Sequence, residues 1–139
     1  MRLGELSCRE RMATARVAHL ATAGADLRPH VVPVTYAVDG DEIVIGIDQK
    51  PKSTVNLRRL RNIVENPRVA VLADTYSDDW VLLWWVRADG TADVLTEGDA
   101  WSAAIELLAG RYEQYQSDPP RGPVIRIRVD AWSGWAYSS

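Results

Sequence analysis

Cysteine is almost missing from this chain. Cys8 is the only one in 139 residues, so no internal disulfide can form. Without a second thiol, a structural metal site is not expected either. Long apolar runs are missing too: no stretch approaches the about 20 residues that a membrane-spanning helix needs. Residues 1–12 are charged and hold no apolar core, so they do not read as a secretory signal. These absences lead to the expectation of a cytoplasmic protein without a membrane partner. Histidine is scarce, with His19 and His30 alone, and neither stands at a recognisable catalytic spacing from a carboxylate, serine or cysteine. No nucleophile elbow, metal-ligand pair, phosphate loop or dinucleotide-binding glycine motif is present. An enzyme built on this chain would leave its hard chemistry to a cofactor.

Lysine is the next scarcity. Of 16 basic residues only two are lysines, and both fall in Gln49-Lys50-Pro51-Lys52-Ser53. One account is a coding bias toward arginine. The other is that this segment needs compact ammonium charges rather than planar guanidinium forks. The segment joins a strand to a helix, and a helix N-terminus offers unpaired N–H groups and partial positive charge. With the Ser53 and Thr54 hydroxyls, it forms a candidate cradle for phosphate or carboxylate. A capped surface helix with solvated lysines is the alternative. The net charge of −3 argues against nucleic acid as the main partner.

What is present is ordinary for one globular domain: 47% hydrophobic and 25% charged residues, in a length that holds one core. The hydrophobic pattern predicts a helix over residues 5–16, with Leu6, Met12 and Ala13 inward, and a first strand over 17–22. An extended run over 27–38 carries Pro29 and Pro33, so it should be irregular or lie at an edge there. Asp39-Gly40-Asp41 signals a hairpin into a strand over 43–47. Ser53 is the expected N-cap of a helix reaching Glu65, with Leu57, Leu60 and Val64 as its apolar stripe and Arg58, Arg59, Arg61 and Asn62 mostly outside it. Strands are expected over 69–73, 80–87 and 91–95, with Ala88-Asp89-Gly90 as a turn. Thr96 and Asp99 resemble a capping box for a helix carrying Trp101, Ala104, Ile105, Leu108, Tyr112 and Tyr115. A strand over 124–129 and a last extended piece with Trp132 and Trp135 complete the chain. Six or seven strands with hairpins, and three helices, predict a single mainly β domain over 1–139, an antiparallel barrel decorated with helices. Both faces of the strand over 80–87 are apolar, which predicts cover on both sides, by core packing first and a second subunit next.

The run Arg16-Val17-Ala18-His19-Leu20-Ala21-Thr22 resembles the opening strand of the pyridoxamine-phosphate-oxidase-like split barrels. Pro29-His30-Val31-Val32-Pro33-Val34 and Lys50-Pro51-Lys52-Ser53-Thr54 are similar to the same family. Asn66-Pro67-Arg68-Val69, Asp74-Thr75-Tyr76-Ser77-Asp78-Asp79-Trp80 and Trp84-Trp85-Val86-Arg87 resemble its branch dependent on the deazaflavin coenzyme F420. The resemblance implies an FMN-binding split β-barrel fold and a homodimer with two coenzyme sites at the subunit interface. It implies that residues 29–34, His30 and Pro33 among them, line the isoalloxazine-like ring. It implies that Ile47, Asp48, Lys52 and Ser53 meet the ribityl and phosphate part, with Lys50 and Asn56 nearby. Some flavin-dependent relatives place an Arg-Lys pair where this chain has Lys52-Ser53, which favours F420 over FMN. The function implied is hydride transfer from reduced F420 to a small organic acceptor. The alternatives are an FMN oxidoreductase of the same fold and a non-catalytic carrier of F420 or a tetrapyrrole. Catalytic side chains are not assigned.

Overall fold

The computed structural model describes residues 1–47 and 57–138. Asp48, Lys50, Lys52, Ser53 and Asn56 therefore lie outside the described residues. Helix α1 (Glu5–Thr14) leads into β1 (Ala18–Ala23), β2 (Pro29–Asp39) and β3 (Glu42–Gly46). Helix α2 (Arg58–Glu65) precedes β4 (Arg68–Thr75), a 3-10 turn (Trp80–Leu82) and β5 (Trp84–Leu95). Helices α3 (Asp99–Arg111) and α4 (Gln114–Ser117) precede β6 (Val124–Ala136). The six strands close into an antiparallel barrel in the order β1-β2-β3-β6-β5-β4, with β4 returning to β1.

The barrel interior follows from period-two alternation. Ala18, Leu20, Ile43, Ile45, Val71, Ala73, Val86, Ala88, Ile125 and Ile127 are all fully buried. Alternating alanine with branched residues suits a barrel too narrow for large side chains on every strand. Helix α1 is held against this core by the buried Tyr36 hydroxyl. It donates to the carbonyls of Met12 at 2.7 Å and Ala15 at 2.9 Å. Arg111 of α3 stacks on the Tyr36 ring at 4.4 Å and donates to the carbonyls of Tyr36 and Ala15. At the β2–β3 turn, Asp41 accepts from the Trp132 indole at 3.1 Å and from Arg9 at 2.6 Å. The Trp132 bond, followed by the Arg9 charge and hydrogen bond, holds its carboxyl below the usual range.

Several expectations need correction. In α1 the inward residues are Cys8 and Met12, while Leu6 is exposed. Within the described residues α2 begins at Arg58, because Leu57 is extended at φ −69° and ψ 141°. Its buried face carries Leu60, Asn62 and Ile63, leaving Val64 80% exposed. Asn62 is buried because its amide donates to the Thr22 hydroxyl at 3.0 Å, satisfying two polar groups at once. The box expected from Thr96 does not form: Gly98, at φ 93°, is the N-cap of α3 and no side chain caps it. Residues 80–82 form a 3-10 turn rather than strand, capped by the Asp79 carboxylate. Ala88-Asp89-Gly90 is not a turn but the middle of the continuous β5, paired with an equally continuous β6 across a bulge.

The proline expectation is met. Strand β2 pairs with β1 over Pro29–Val34 and, among the described residues, with β3 from Thr35 to Asp39. Pro29 and Pro33 thus sit where, among the described residues, the strand is paired with β1 alone. A missing N–H costs nothing on the open side.

Candidate functional site

The last pair of the β2–β3 ladder is Thr35 with Gly46. Next to that pair lies a pocket of about 280 Å³, a split beside β2. Its walls are Pro33, Val34 and Thr35 from β2, Gly46 at the end of β3, Arg16 and Val17 just before β1, and Arg59 from α2. Gly46 makes the space. A Cβ at that position would stand 3.2 Å from Thr35 Oγ1, 3.3 Å from Leu108 Cδ1 and 3.5 Å from Tyr115 Oη. Such a methyl group would narrow the pocket beside Thr35.

The pocket is basic. No ion pair of Arg16 or Arg59 occurs among the described residues, where the bridges involve other arginines. Arg59 is half-buried, and its Nε is buried without a hydrogen-bond partner among the described residues. Burial pushes the Arg59 pKa down, the direction expected of a cation removed from water without compensation. A partly desolvated guanidinium beside a second one is suited to an oxyanion, which it can meet with paired N–H donors. Thr35 adds a hydroxyl, hydrogen-bonded to Tyr115 Oη at 2.9 Å.

A larger groove of about 710 Å³ lies between α1, β2 and α3. Its floor is Ala13, Ala37, Ala103 and Gly110, and its one guanidinium, Arg111, already serves the Tyr36 and Ala15 carbonyls. It therefore offers less to an anion than the split does. No group of three or more metal-ligating residues occurs among the described residues. No helix among them is long and apolar enough to cross a membrane.

Of the site residues expected from sequence, Pro33 lines the pocket. Ile47 is fully buried, with its side chain in the barrel core, so only its backbone can face a ligand at the split. His30 pairs with Thr22, four positions along the ladder from the Val34–Ala18 pair. Pro33, the nearest wall residue on β2, is three positions away, which at about 3.3 Å per residue is ~10 Å. Its Nδ1 is buried without a partner among the described residues. The structure therefore brings Pro33 to the pocket and leaves His30 at the far end of the same strand. Asp48, Lys50, Lys52, Ser53 and Asn56 fall outside the described residues. They belong to the chain between Gly46 and Arg59, the two residues that wall the pocket on either side.

Arg16, Thr35, Gly46 and Arg59 were not singled out by the sequence. Arg59 sits in an arginine-rich helix that reads as a solvated face. The available signal was Gly46: a glycine inside an isoleucine-rich strand marks a close approach.

A family model for pyridoxamine 5'-phosphate oxidase matches residues 7–136. No curated protein matches the sequence. A solved structure of a conserved hypothetical protein from Mycobacterium tuberculosis is 24% identical, with a TM-score of 0.76, covering 96% of this chain and 85% of that one. A FAD-binding protein from Mesorhizobium loti is 22% identical, with a TM-score of 0.70, covering 96% and 95%. The FAD-binding protein of Mycobacterium smegmatis is 14% identical, with a TM-score of 0.64, covering 97% and 96%. At these identities the likeness is one of fold. The family match spans α1 and all six strands of a closed barrel, so this chain belongs to the pyridoxamine 5'-phosphate oxidase family.

Proposed function

We propose that this protein is an oxidoreductase that binds the deazaflavin coenzyme F420 and passes hydride from its reduced form to a small organic acceptor. The observation that carries this reading is the basic pocket at the split, with Arg16 and Arg59 unpaired among the described residues and Gly46 leaving the space between them. These residues fit a phosphorylated, flavin-like coenzyme. Arg59 and Arg16 would hold the phosphate-bearing arm, and Pro33 and Val34 would border the start of the ring. The ring would supply the hydride chemistry, which asks no nucleophile or metal of the protein. The chain's own part is to bind, orient and exclude water. The motifs over residues 66–87 that resemble the F420 branch, and Lys52-Ser53 standing where some flavin-dependent relatives place an Arg-Lys pair, support F420 over FMN.

The expected result is that reduced F420 supports turnover with a panel of quinones, tetrapyrroles and unsaturated carbonyls, and that nicotinamide cofactors do not. Steady-state assays across that panel check it. Efficient turnover with NADPH alone overturns the reading. A yellow protein purified with bound flavin turns it toward FMN, a reading the FAD-binding neighbours favour. F420 binding without turnover on any acceptor turns it toward a carrier.

The coenzyme site is completed by a second copy of the chain. About 280 Å³ is at the low end of small-molecule pockets, too little to enclose a tricyclic ring and its arm together. Val17 in the pocket wall and Val31 further along β2 are 55% and 60% exposed, and Tyr76 and Trp80, past the end of β4, are 77% and 62% exposed. An obligate interface of about 2,000 Å² or more would cover such a surface. Light scattering at micromolar concentration should give twice the 15.5 kDa of one chain. A stable, folded monomer that still binds coenzyme would count against the shared site.

A further inference from the structure

Strand β2 runs on past its neighbour β1. Its ladder with β1 ends at the Val34–Ala18 pair, while its ladder with β3 continues to Asp39. In an antiparallel strand the backbone groups of successive residues point to opposite edges. Those of Tyr36 point away from β3. The amide donates to Tyr112 Oη at 3.0 Å, and the carbonyl accepts from Arg111 Nη1 at 2.9 Å and from Tyr112 Oη at 3.1 Å. Two residues on, the Val38 amide and carbonyl point the same way. The facing residue Ile43 agrees with this. The Asp41 carbonyl accepts from the Val129 amide of β6, so Ile43, two residues later, is also turned to β6 and not to Val38. The Val38 amide and carbonyl have no partner among the described residues. Val38 lines the groove of about 710 Å³ between α1, β2 and α3. That groove therefore holds an open strand edge, with a donor and an acceptor side by side.

An unpaired strand edge is a template for another extended chain, which supplies the missing backbone hydrogen bonds. The walls leave room for one. Ala13 of α1 and Ala103 of α3 present only methyl groups, and a Cβ at Gly110 of α3 would meet nothing within 4 Å. The charges favour a basic chain. Asp39 and Glu106 both line the groove, and neither takes part in an ion pair among the described residues. Arg111, the one cation in the lining, is bound to the Tyr36 and Ala15 carbonyls. We propose that this groove binds an extended, basic peptide segment of a partner protein. The segment pairs with β2 at Val38 and sets a lysine or arginine side chain against Asp39 and Glu106. The site is distinct from the split, since no residue lines both.

The test is an NMR titration of the isotope-labelled full chain with two acetylated, amidated pentapeptides. One alternates valine with lysine, the other valine with glutamate. The lysine peptide, at up to millimolar concentration, should slow hydrogen exchange of the Val38 amide. It should bind about tenfold tighter than the glutamate peptide at low salt, and the preference should shrink at high salt. A lysine peptide N-methylated at every backbone amide keeps its charges but cannot join a strand, and should bind about tenfold more weakly. Glu106→Lys, on an exposed helix face, should remove the preference for lysine. Gly110→Leu puts a side chain that helices tolerate into the groove and should abolish binding of both peptides. No slowing at Val38, or equal affinity for the N-methylated peptide, would mean that no strand is added, and would overturn the proposal. So would binding that persists in Gly110→Leu, or a lysine preference that survives in Glu106→Lys. None of these outcomes depends on whether F420 binds at the split.

Discussion

Replacing Arg59 by alanine should weaken F420 and FMN binding roughly ten- to a hundredfold, as expected for loss of a charged hydrogen bond of about 1.5–3 kcal/mol. The same change should leave the fold as stable as before or slightly more so. Arg59 is partly buried, its Nε meets no partner among the described residues, and burial lowers its pKa. Without ligand, the charge is therefore desolvated for no return, and removing it relieves that cost. A residue that weakens the empty protein and strengthens the bound one is what a binding site requires. Lys52→Ala, in the segment between Gly46 and Arg59, should weaken binding by a similar factor. Its loss should shrink at high salt, because salt screens the attraction between charges. Lys50→Ala should do less. Titrations of the three variants at two salt concentrations, beside thermal melts, check all of this. Unchanged affinity in both Arg59→Ala and Lys52→Ala, with the fold intact, would place the anion elsewhere.

Local signals in this sequence translated well into local structure. The Asp39-Gly40-Asp41 hairpin formed with Gly40 at φ 61°, because a two-strand turn is decided by the residues in it. Pro29 and Pro33 marked the half of β2 that, among the described residues, pairs with β1 alone, because a proline's missing N–H is a property of the proline alone. Where the outcome depended on distant chain, the same reasoning failed. Thr96 had the composition of a cap, but α3 begins at Asp99 to put Ala104 and Leu108 onto Ala37, Val44 and Val124. Val64 fitted the apolar period of α2, but the helix was turned by the Asn62–Thr22 bond and by Ile63 entering the barrel core. The site shows the same division. Of the family motifs, the one over residues 29–34 supplies Pro33 and Val34 to the pocket wall, and the one over 50–54 lies outside the described residues. The guanidinium groups that converge on the pocket come from Arg16 and Arg59, 43 positions apart by their numbers, and only barrel closure brings them together.

Gly90→Ala is expected to be among the most damaging single changes in the protein. The dipeptide Asp89-Gly90 suggests a turn, and at a turn alanine would disturb mainly the backbone angle. Here Gly90 lies inside β5 against Val129 of β6, beside the register shift that marks the bulge. A Cβ would stand 2.3 Å from the Arg128 carbonyl oxygen, 2.9 Å from Ile127 Cγ2 and 3.0 Å from the Arg128 carbonyl carbon. Two of those atoms are backbone in the centre of the most extensively paired strand couple, so they cannot swing away as a side-chain end would. Overpacking typically costs about 1–3 kcal/mol, and an obstacle made of backbone belongs at or above the upper end of that range. For a chain of this length, about 3 kcal/mol corresponds to a fall in Tm of roughly 10 °C. The matched control is Gly110→Ala in α3, where a Cβ meets nothing within 4 Å. Alanine's better helix propensity should there raise stability by up to about 1 kcal/mol. Thermal melts of the two variants beside wild type should therefore move in opposite directions. If Gly90→Ala melted with the wild type, β5 and β6 would have to be further apart at the bulge than the continuous twelve- and thirteen-residue strands place them. The turn suggested by the sequence would then deserve to be restored.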